Sequence, residues 1–326
     1  IHSKELLENI AQEIPEKAKQ LAEAFWPGSL TLVLKKKETI PYSITAGKET
    51  VAVRVPNHPL TLELLKQLDF PLAAPSANPF GSISPTTSLH VADYFTDTLE
   101  MVLDGGNCEN GIESTIVGFE NEKVILYRLG SISVEDIESI IGPIEIVNKN
   151  DSSPNAPGML SRHYAPKTKT IVSENIEDEI KNYPTSKIGV LLFQDLKIND
   201  ENIEKEILSI NGSLKEATAN LYAAMHRLDK KGLDLIIAEK FPEYDVGESI
   251  AVKLKSDLEI PPNSSKFISL YLLFSIGFKG GQELAHSHFT LEIVWSVLFG
   301  VFIALIIPFY SYFILRRKFN VYDSGA

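Results

Sequence analysis

The chain has 326 residues, 44% of them hydrophobic and 23% charged, which is long enough for two domains, each with its own core. With 31 Lys and Arg against 43 Asp and Glu, the formal net charge of -12 argues against a broadly basic nucleic-acid-binding surface and leaves room only for a local basic cleft. Cys108 is the single cysteine, so there is no disulfide framework and no all-cysteine metal site, as in a reducing compartment.

No signal peptide opens the sequence. Ile1 leads straight into a polar, helix-like stretch, from which the chain is expected to begin partway through a domain. Over residues 4–25 apolar residues recur at helical spacing, and Pro15 divides them into two helices. LTLVL at 30–34 reads as a buried strand and TVAVRV at 50–55 as a second, placing Arg54 in an otherwise apolar run. A charge there lies either on the solvent face or paired in a cleft. A short helix follows over 58–68, entered through Asn57 with Pro59 in its first turn.

The stretch PLAAPSANPFGSISPTTSLHV, residues 71–91, reads as a strand delivering a hydroxyl-rich loop into a pocket. Ser76, Asn78, Ser82, Ser84, Thr86 and Thr87 crowd the loop, and a helix is predicted to start at Ser84 with Pro85 at its first position. Its free amide groups would favour an anion such as phosphate; an ordinary Ser-rich surface turn is the alternative. A strand at 101–103 and the loop DGGNCENGIEST come next, where Gly105, Gly106 and Gly111 permit close backbone approach. Strands at 115–119 and 123–128 and a helix capped by Ser133 complete an α/β domain.

Residues 144–164 are polar and rich in Pro and Gly, a passive tether or a segment folding over a neighbouring site. A second α/β unit has predicted strands at 170–172, 187–193 and 233–238, and a helix capped by Ser213 and ended by Gly232. It holds no glycine-rich phosphate fingerprint, so its fold implies no cofactor. After residue 250 the composition shifts. The segment 291–315 carries one charge, Glu292, and is long enough to cross a bilayer. Arg316, Arg317 and Lys318 then place that end in the cytoplasm, and pairing with the shorter apolar run at 267–278 gives a hydrophobic hairpin.

Taken in order, WPGSLTLVL, TVAVRVPNHP, PLAAPSAN, ISPTT, LDGGNCENGIESTIV, YRLGSIS and PGMLSRHYAP resemble the threonylcarbamoyl-AMP synthase family, YrdC-like enzymes with an extra C-terminal domain, over residues 3–245. The resemblance implies an α/β fold: a YrdC-like twisted α/β domain at 1–142, a linker or lid at 143–166 and a smaller Rossmann-like α/β domain at 167–250. Residues 252–326 resemble part of the sodium-dependent bicarbonate transporter family and would form the membrane hairpin, with the lipid bilayer as partner and the enzyme portion in the cytoplasm. It further implies a nucleotidyltransferase making threonylcarbamoyl-adenylate and pyrophosphate from ATP, L-threonine and bicarbonate, for t6A modification by the tRNA threonylcarbamoyl-transfer machinery. Carried over position by position, Thr50, Ser76, Ser84, Arg128 and Tyr164 would contact ATP, and Arg54, Ala74 and Ser114 would contact threonine. Mg2+ would enter with ATP, no protein-bound metal is expected, and no residue is assigned as general acid or base.

Two departures qualify the resemblance, one at each end; at the far end VGESIAVKLKSDLEIP stands in place of the family's usual closing segment. Segments that open the family's domain, a PTxT-type stretch and a Lys/Arg motif, are absent, so the chain alone is expected to be inactive. Two partial resemblances in one chain are expected to mark a fragmentary or rearranged gene product rather than a purposeful fusion. Two other function classes remain open at this stage: a non-catalytic module binding double-stranded RNA or nucleotide, and a membrane protein related to bicarbonate transport.

Overall fold

The computed structural model describes residues 1–96, 98–121, 123–146, 166–198, 200 and 202–255. All of them fall in the first of the chain's two units, Ile1–Leu258, the second being Glu259–Ala326. Tyr164, most of the expected lid and the expected hairpin lie outside the described residues. Among the described residues no helix is long and apolar enough to cross a membrane.

A single turn at Lys4–Leu6 leads into α1 (Leu7–Ile10), and α2 (Glu16–Phe25) follows directly after Pro15. Proline's fixed φ suits the residue that enters a helix and would obstruct one running through it. Next come β1 (Leu30–Lys35), β2 (Thr50–Val53), α3 (Pro59–Lys66), α4 (Ser88–Tyr94), β3 (Thr115–Glu120), β4 (Lys123–Arg128), α5 (Val134–Ile141) and β5 (Glu145–Ile146). The sheet order is β2-β1-β3-β4-β5. β1 is antiparallel to β2 and parallel to β3, while β3 and β4 form an antiparallel pair. Ala18, Leu21 and Ala22 of α2 and Ile137 and Ile141 of α5 close one face of the sheet over Leu30, Leu32, Val117 and Leu126. Ser133 caps α5 by accepting from the Asp136 amide at 3.1 Å.

The second sheet is built from β6 (Thr170–Ser173), β7 (Ile188–Leu192), β8 (Glu204–Ile207) and β9 (Leu235–Glu239), with α6 (Ile176–Lys181), α7 (Leu214–Asp229) and α8 (Val246–Lys255) around it. Its order is β6-β9-β7-β8, all parallel. Alternate residues of the central strands enter two different cores: Leu191, Ile236 and Ala238 pack with α7 and α8, and Val190, Leu192 and Ile237 pack with Ile176 of α6. Burial on both faces explains why β7 and β9 read as unbroken apolar runs. The charged EKEI of β8 carries no such signal, and neither β8 nor α6 was expected from sequence. α8 runs through residue 250, where the second domain was expected to end, and buries Ile250, Ala251 and Leu254 in the core it shares with α7.

The two halves interlock. Ile83 lies inside the second half's core cluster, with Ile112 packed against it. Ser249 of α8 donates to the Gly130 carbonyl at 2.8 Å.

Three predicted local features are corrected. Residues 71–76 and 101–103 form no strand. Leu72 and Leu103 are exposed and Met101 is 74% exposed, and among the described residues no neighbouring strand supplies the hydrogen-bond ladder that strand formation requires. The helix expected at Ser84 starts at Ser88 instead, with Thr87 accepting from the His90 amide at 3.2 Å. Helix formation at Ser84 would need the Ser84 carbonyl for its own ladder, but His226 Nε2 binds it at 3.1 Å, and the Cys108 amide takes the Thr86 carbonyl at 2.9 Å. The anion site predicted at that helix start therefore has no helix behind it.

Gly111 tests the interlock. Its φ is +67°, and a Cβ placed on it would lie 2.1 Å from the Ala219 carbonyl oxygen of α7. Gly111→Ala is expected to destabilise the chain by more than about 2 kcal/mol, combining backbone strain with a clash against backbone. Gly47→Ala, with φ +79° and open space around it, should lose only about 1 kcal/mol. Urea unfolding of both variants measures the difference, and equal losses would show that the contact with α7 is unimportant.

Candidate active site

The strand directions bring four chain segments to one edge of the first sheet. β1 and β3 begin there, with Leu30 opposite Thr115, and β2 and β4 end there, with Val53 opposite Leu32 and Arg128 opposite Ile116. Ser114 precedes β3 and is buried. Its hydroxyl pairs with Thr31 Oγ1 at 2.7 Å and accepts from Arg128 Nη2 at 3.0 Å, while Arg128 Nε donates to the Ser114 carbonyl at 3.0 Å. Arg128 thus grips Ser114 at two points, which fixes both side chains.

Arg54 leaves β2 at the same edge, half-buried, with Nε donating to the Gly28 carbonyl at 2.8 Å. Its own carbonyl accepts from the Ile1 ammonium at 3.0 Å. Burial first, then the nearby Arg128 guanidinium, pull Arg54 below the ordinary arginine value. Two guanidiniums that repel each other at a partly buried edge form a place where an anion is welcome. Burial pushes the Cys108 thiol up, with Arg54 opposing.

Glu113, the residue before Ser114, carries the loop's other connections. Its Oε1 accepts from the Ser84 hydroxyl at 2.6 Å, and its Oε2 accepts from Tyr222 Oη of α7 at 2.9 Å and from Lys253 Nζ of α8 at 2.5 Å. The side chains of Lys253 and Glu113 are 6% and 8% exposed. Burial alone would raise the Glu113 pKa, but the Lys253 ammonium and Arg128 guanidinium outweigh it and hold the carboxyl below the ordinary carboxylate range. Burial pulls Lys253 down against the attraction of Glu113.

Beside Ser84, His90 and His226 stack with ring centroids 3.8 Å apart. The Thr86 amide donates to His90 Nδ1 at 3.3 Å, so that nitrogen must be unprotonated. Burial and then His226 hold His90 down at about 4, and burial also lowers His226.

Of the residues predicted to form the site, the structure brings Ser84, Ser114 and Arg128 together beside Glu113, and Arg54 within electrostatic reach of Arg128. Ala74 and Ser76 sit exposed in the 71–82 loop. Thr50 pairs with Lys35 at the opposite end of β2 from Arg54, about 13 Å away at the ordinary rise of a strand. Tyr164 lies outside the described residues. Sequence reasoning passed over Glu113, Tyr222, His226 and Lys253. An acidic residue in a glycine-rich loop gives no hint of a lysine 140 positions later.

The family model described as "Telomere recombination" matches residues 1–130, and that of the threonylcarbamoyl-AMP synthase C-terminal domain matches 132–255. Threonylcarbamoyl-AMP synthase of Pyrococcus abyssi is 38% identical over 263 residues, spanning 78% of this chain and 77% of the relative. The chain belongs to the threonylcarbamoyl-AMP synthase family. The Bacillus subtilis member is 37% identical, across 76% of this chain and 75% of its own. The crystal structure of P. abyssi Sua5 complexed with L-threonine superposes with a TM-score of 0.72 at 37% identity, covering 78% of this chain and 77% of that one. Residues 246–326 match the Na+-dependent bicarbonate transporter superfamily. The synthase match runs past residue 245, where the motifs stop, and takes in all of α8, where the transporter match overlaps it; α8 packs with α7 in the core of the second half.

The histidine pair gives a pH prediction. His90 has a folded value of about 4 against an ordinary 6.5. Between those values the unfolded chain binds a proton that the folded chain refuses, so stability falls as pH drops from about 6.5 toward 4. Urea midpoints are expected to decline from pH 7 to pH 5. His90→Phe removes one of the two titrating rings of the stack and should reduce that slope, His226 keeping its share; an unchanged slope would assign it to other groups.

Proposed function

We propose that this chain's site carries out L-threonylcarbamoyladenylate synthesis, consuming ATP, L-threonine and bicarbonate and yielding threonylcarbamoyl-AMP, pyrophosphate and water. The observation that carries the reading is the meeting of Arg54, Arg128 and Ser114 at one sheet edge, in a chain whose P. abyssi structural relative is described as complexed with L-threonine. Arg54 pairs with the threonine carboxylate, for which a guanidinium is the matching fork. Ser114, held by Arg128 and Thr31, offers its hydroxyl to the amino acid. Arg128 stands where charge builds as pyrophosphate departs.

Ala74 through its backbone, and Thr50, Ser76 and Tyr164 through their hydroxyls, complete the site on the strength of the family motifs. Among the described residues no group of acidic, His or Cys side chains could hold a metal, and Mg2+ enters as part of the nucleotide substrate. With no general base assigned, positioning and electrostatics carry the chemistry. The product is a reactive mixed anhydride, suited to transfer onto tRNA in t6A formation. The domain limits that go with this reading are a YrdC-like domain at 1–142, a linker at 143–166 and a Rossmann-like domain from 167, which α8 carries past residue 250. A membrane-inserted tail rests on the apolar 291–315 run and on the transporter match at 246–326.

Arg54→Ala provides the test. Titration calorimetry on the full chain should show threonine affinity falling at least about tenfold, the order expected for a lost charge-assisted bidentate pair, with ATP affinity within about threefold. Threonine affinity unchanged by Arg54→Ala would remove Arg54 from the threonine site.

A further inference from the structure

Ser84 carries an ATP contact in the reading above, and a phosphate contact is the natural first thought for a serine hydroxyl in such a loop. The hydrogen bonds around it point elsewhere. A hydroxyl has one proton to give. Ser84 gives that proton to Glu113 Oε1 at 2.6 Å. The carboxylate cannot be the donor in that bond, because its other oxygen already receives Tyr222 Oη and Lys253 Nζ, and a buried carboxylate facing an ammonium stays ionised. The Ser84 backbone is fixed as well, since its carbonyl is bound by His226 Nε2 at 3.1 Å. What half-exposed Ser84 offers a ligand is therefore oxygen lone pairs. Phosphate oxygens are acceptors too, and two acceptors without a proton between them repel.

We infer that Glu113, held by Tyr222 and Lys253 of the C-terminal half, is a positioning residue that takes the Ser84 proton and so presents Ser84 Oγ as an acceptor for a donor group on the nucleoside half of ATP, a ribose hydroxyl or the adenine amine. The inference rests on the ATP-site reading and sharpens it. It also gives the C-terminal half a chemical role, because Lys253 and Tyr222 act on the nucleotide through Glu113.

The buried pair supports this use. Two ionised groups removed from water are a poor way to gain stability compared with apolar residues of the same size. They do hold a carboxylate in one ionisation state and one orientation, which is what an acceptor-presenting serine requires.

The test is titration calorimetry on the full chain with ATP, 2′-deoxy-ATP, 3′-deoxy-ATP and purine riboside triphosphate, which lacks the exocyclic amine. In the unmutated chain one of the three analogues should bind about tenfold more weakly than ATP, the size of one well-made hydrogen bond, and which one identifies the donor. Ser84→Ala should erase that discrimination, so that ATP and the discriminated analogue bind alike. Ser84→Thr, which keeps a hydroxyl, should retain it. Glu113→Gln combined with Lys253→Met leaves no buried ion unpaired and replaces the carboxylate with an amide able to donate, and discrimination should shrink at least threefold. Thermal unfolding checks that this double variant folds, and the Ser84 variants decide the inference if it does not.

Equal weakening of all four nucleotides by Ser84→Ala would mean a phosphate contact, overturning the inference while keeping the ATP site. Equal binding of all four by the unmutated chain, discrimination that survives Ser84→Ala, or discrimination unchanged in the Glu113 double variant would also overturn it. An unmutated chain that binds none of them would overturn the site reading and the inference together.

Discussion

The contact on which the rest of this structure depends is the buried pair of Glu113 and Lys253, placed where a glycine-rich loop of one sheet meets α8, packed on another. A carboxylate alone at that depth would be untenable, and so would an ammonium. Removing either partner of such a pair typically destabilises a protein by about 3–5 kcal/mol, because the other charge is left without water or counterion. Each half therefore needs the other for a reason beyond apolar area. Ile83 and Ile112 supply the ordinary hydrophobic cement around the pair, and Tyr222 and Ser84 also donate to the carboxylate. One residue further along, Ser114 inherits that fixity and passes it to Arg128.

Two kinds of electrostatic environment lie side by side in consequence. Around Glu113 the charges are paired, deeply buried and hydrogen-bonded. Around Arg54 and Arg128 two like charges share a half-buried edge. The first environment is structural stiffness and the second is capacity to bind an anion; the single residue between them, Ser114, belongs to both. A site of this kind works by preorganisation, since its dipoles are already aimed before substrate arrives.

Much of the fold could be read from residue order. The apolar runs of β1, β3, β7 and β9, Pro15 between α1 and α2, and the caps Ser133 and Ser213 all act within a few residues of themselves, which is the range over which pattern reasoning works. The failures have the opposite character. Residues 71–76 and 101–103 have the composition of strands without a neighbouring strand among the described residues, and strand formation depends on a partner as much as on propensity. The helix expected at Ser84 lost to His226 and Cys108, which claim its first carbonyls from far along the chain. The candidate site divides in the same way. Arg54, Ser114 and Arg128 lie on or beside strands whose register puts them together, whereas Glu113, Tyr222 and Lys253 are united by tertiary packing alone.

The order β6-β9-β7-β8 also constrains when the site can acquire its shape. β9 lies between two strands made earlier, so the second sheet stays split until residue 239 has been synthesised, and Lys253 follows only after that. At the usual 5–20 residues per second, the 140 residues separating Glu113 from Lys253 take about 7–28 s to emerge. For that interval the first sheet can fold while its glutamate remains in water, protonating and rotating like any surface carboxylate. Fixing of the loop at Glu113 is thus a late event in the life of each chain, timed by α8.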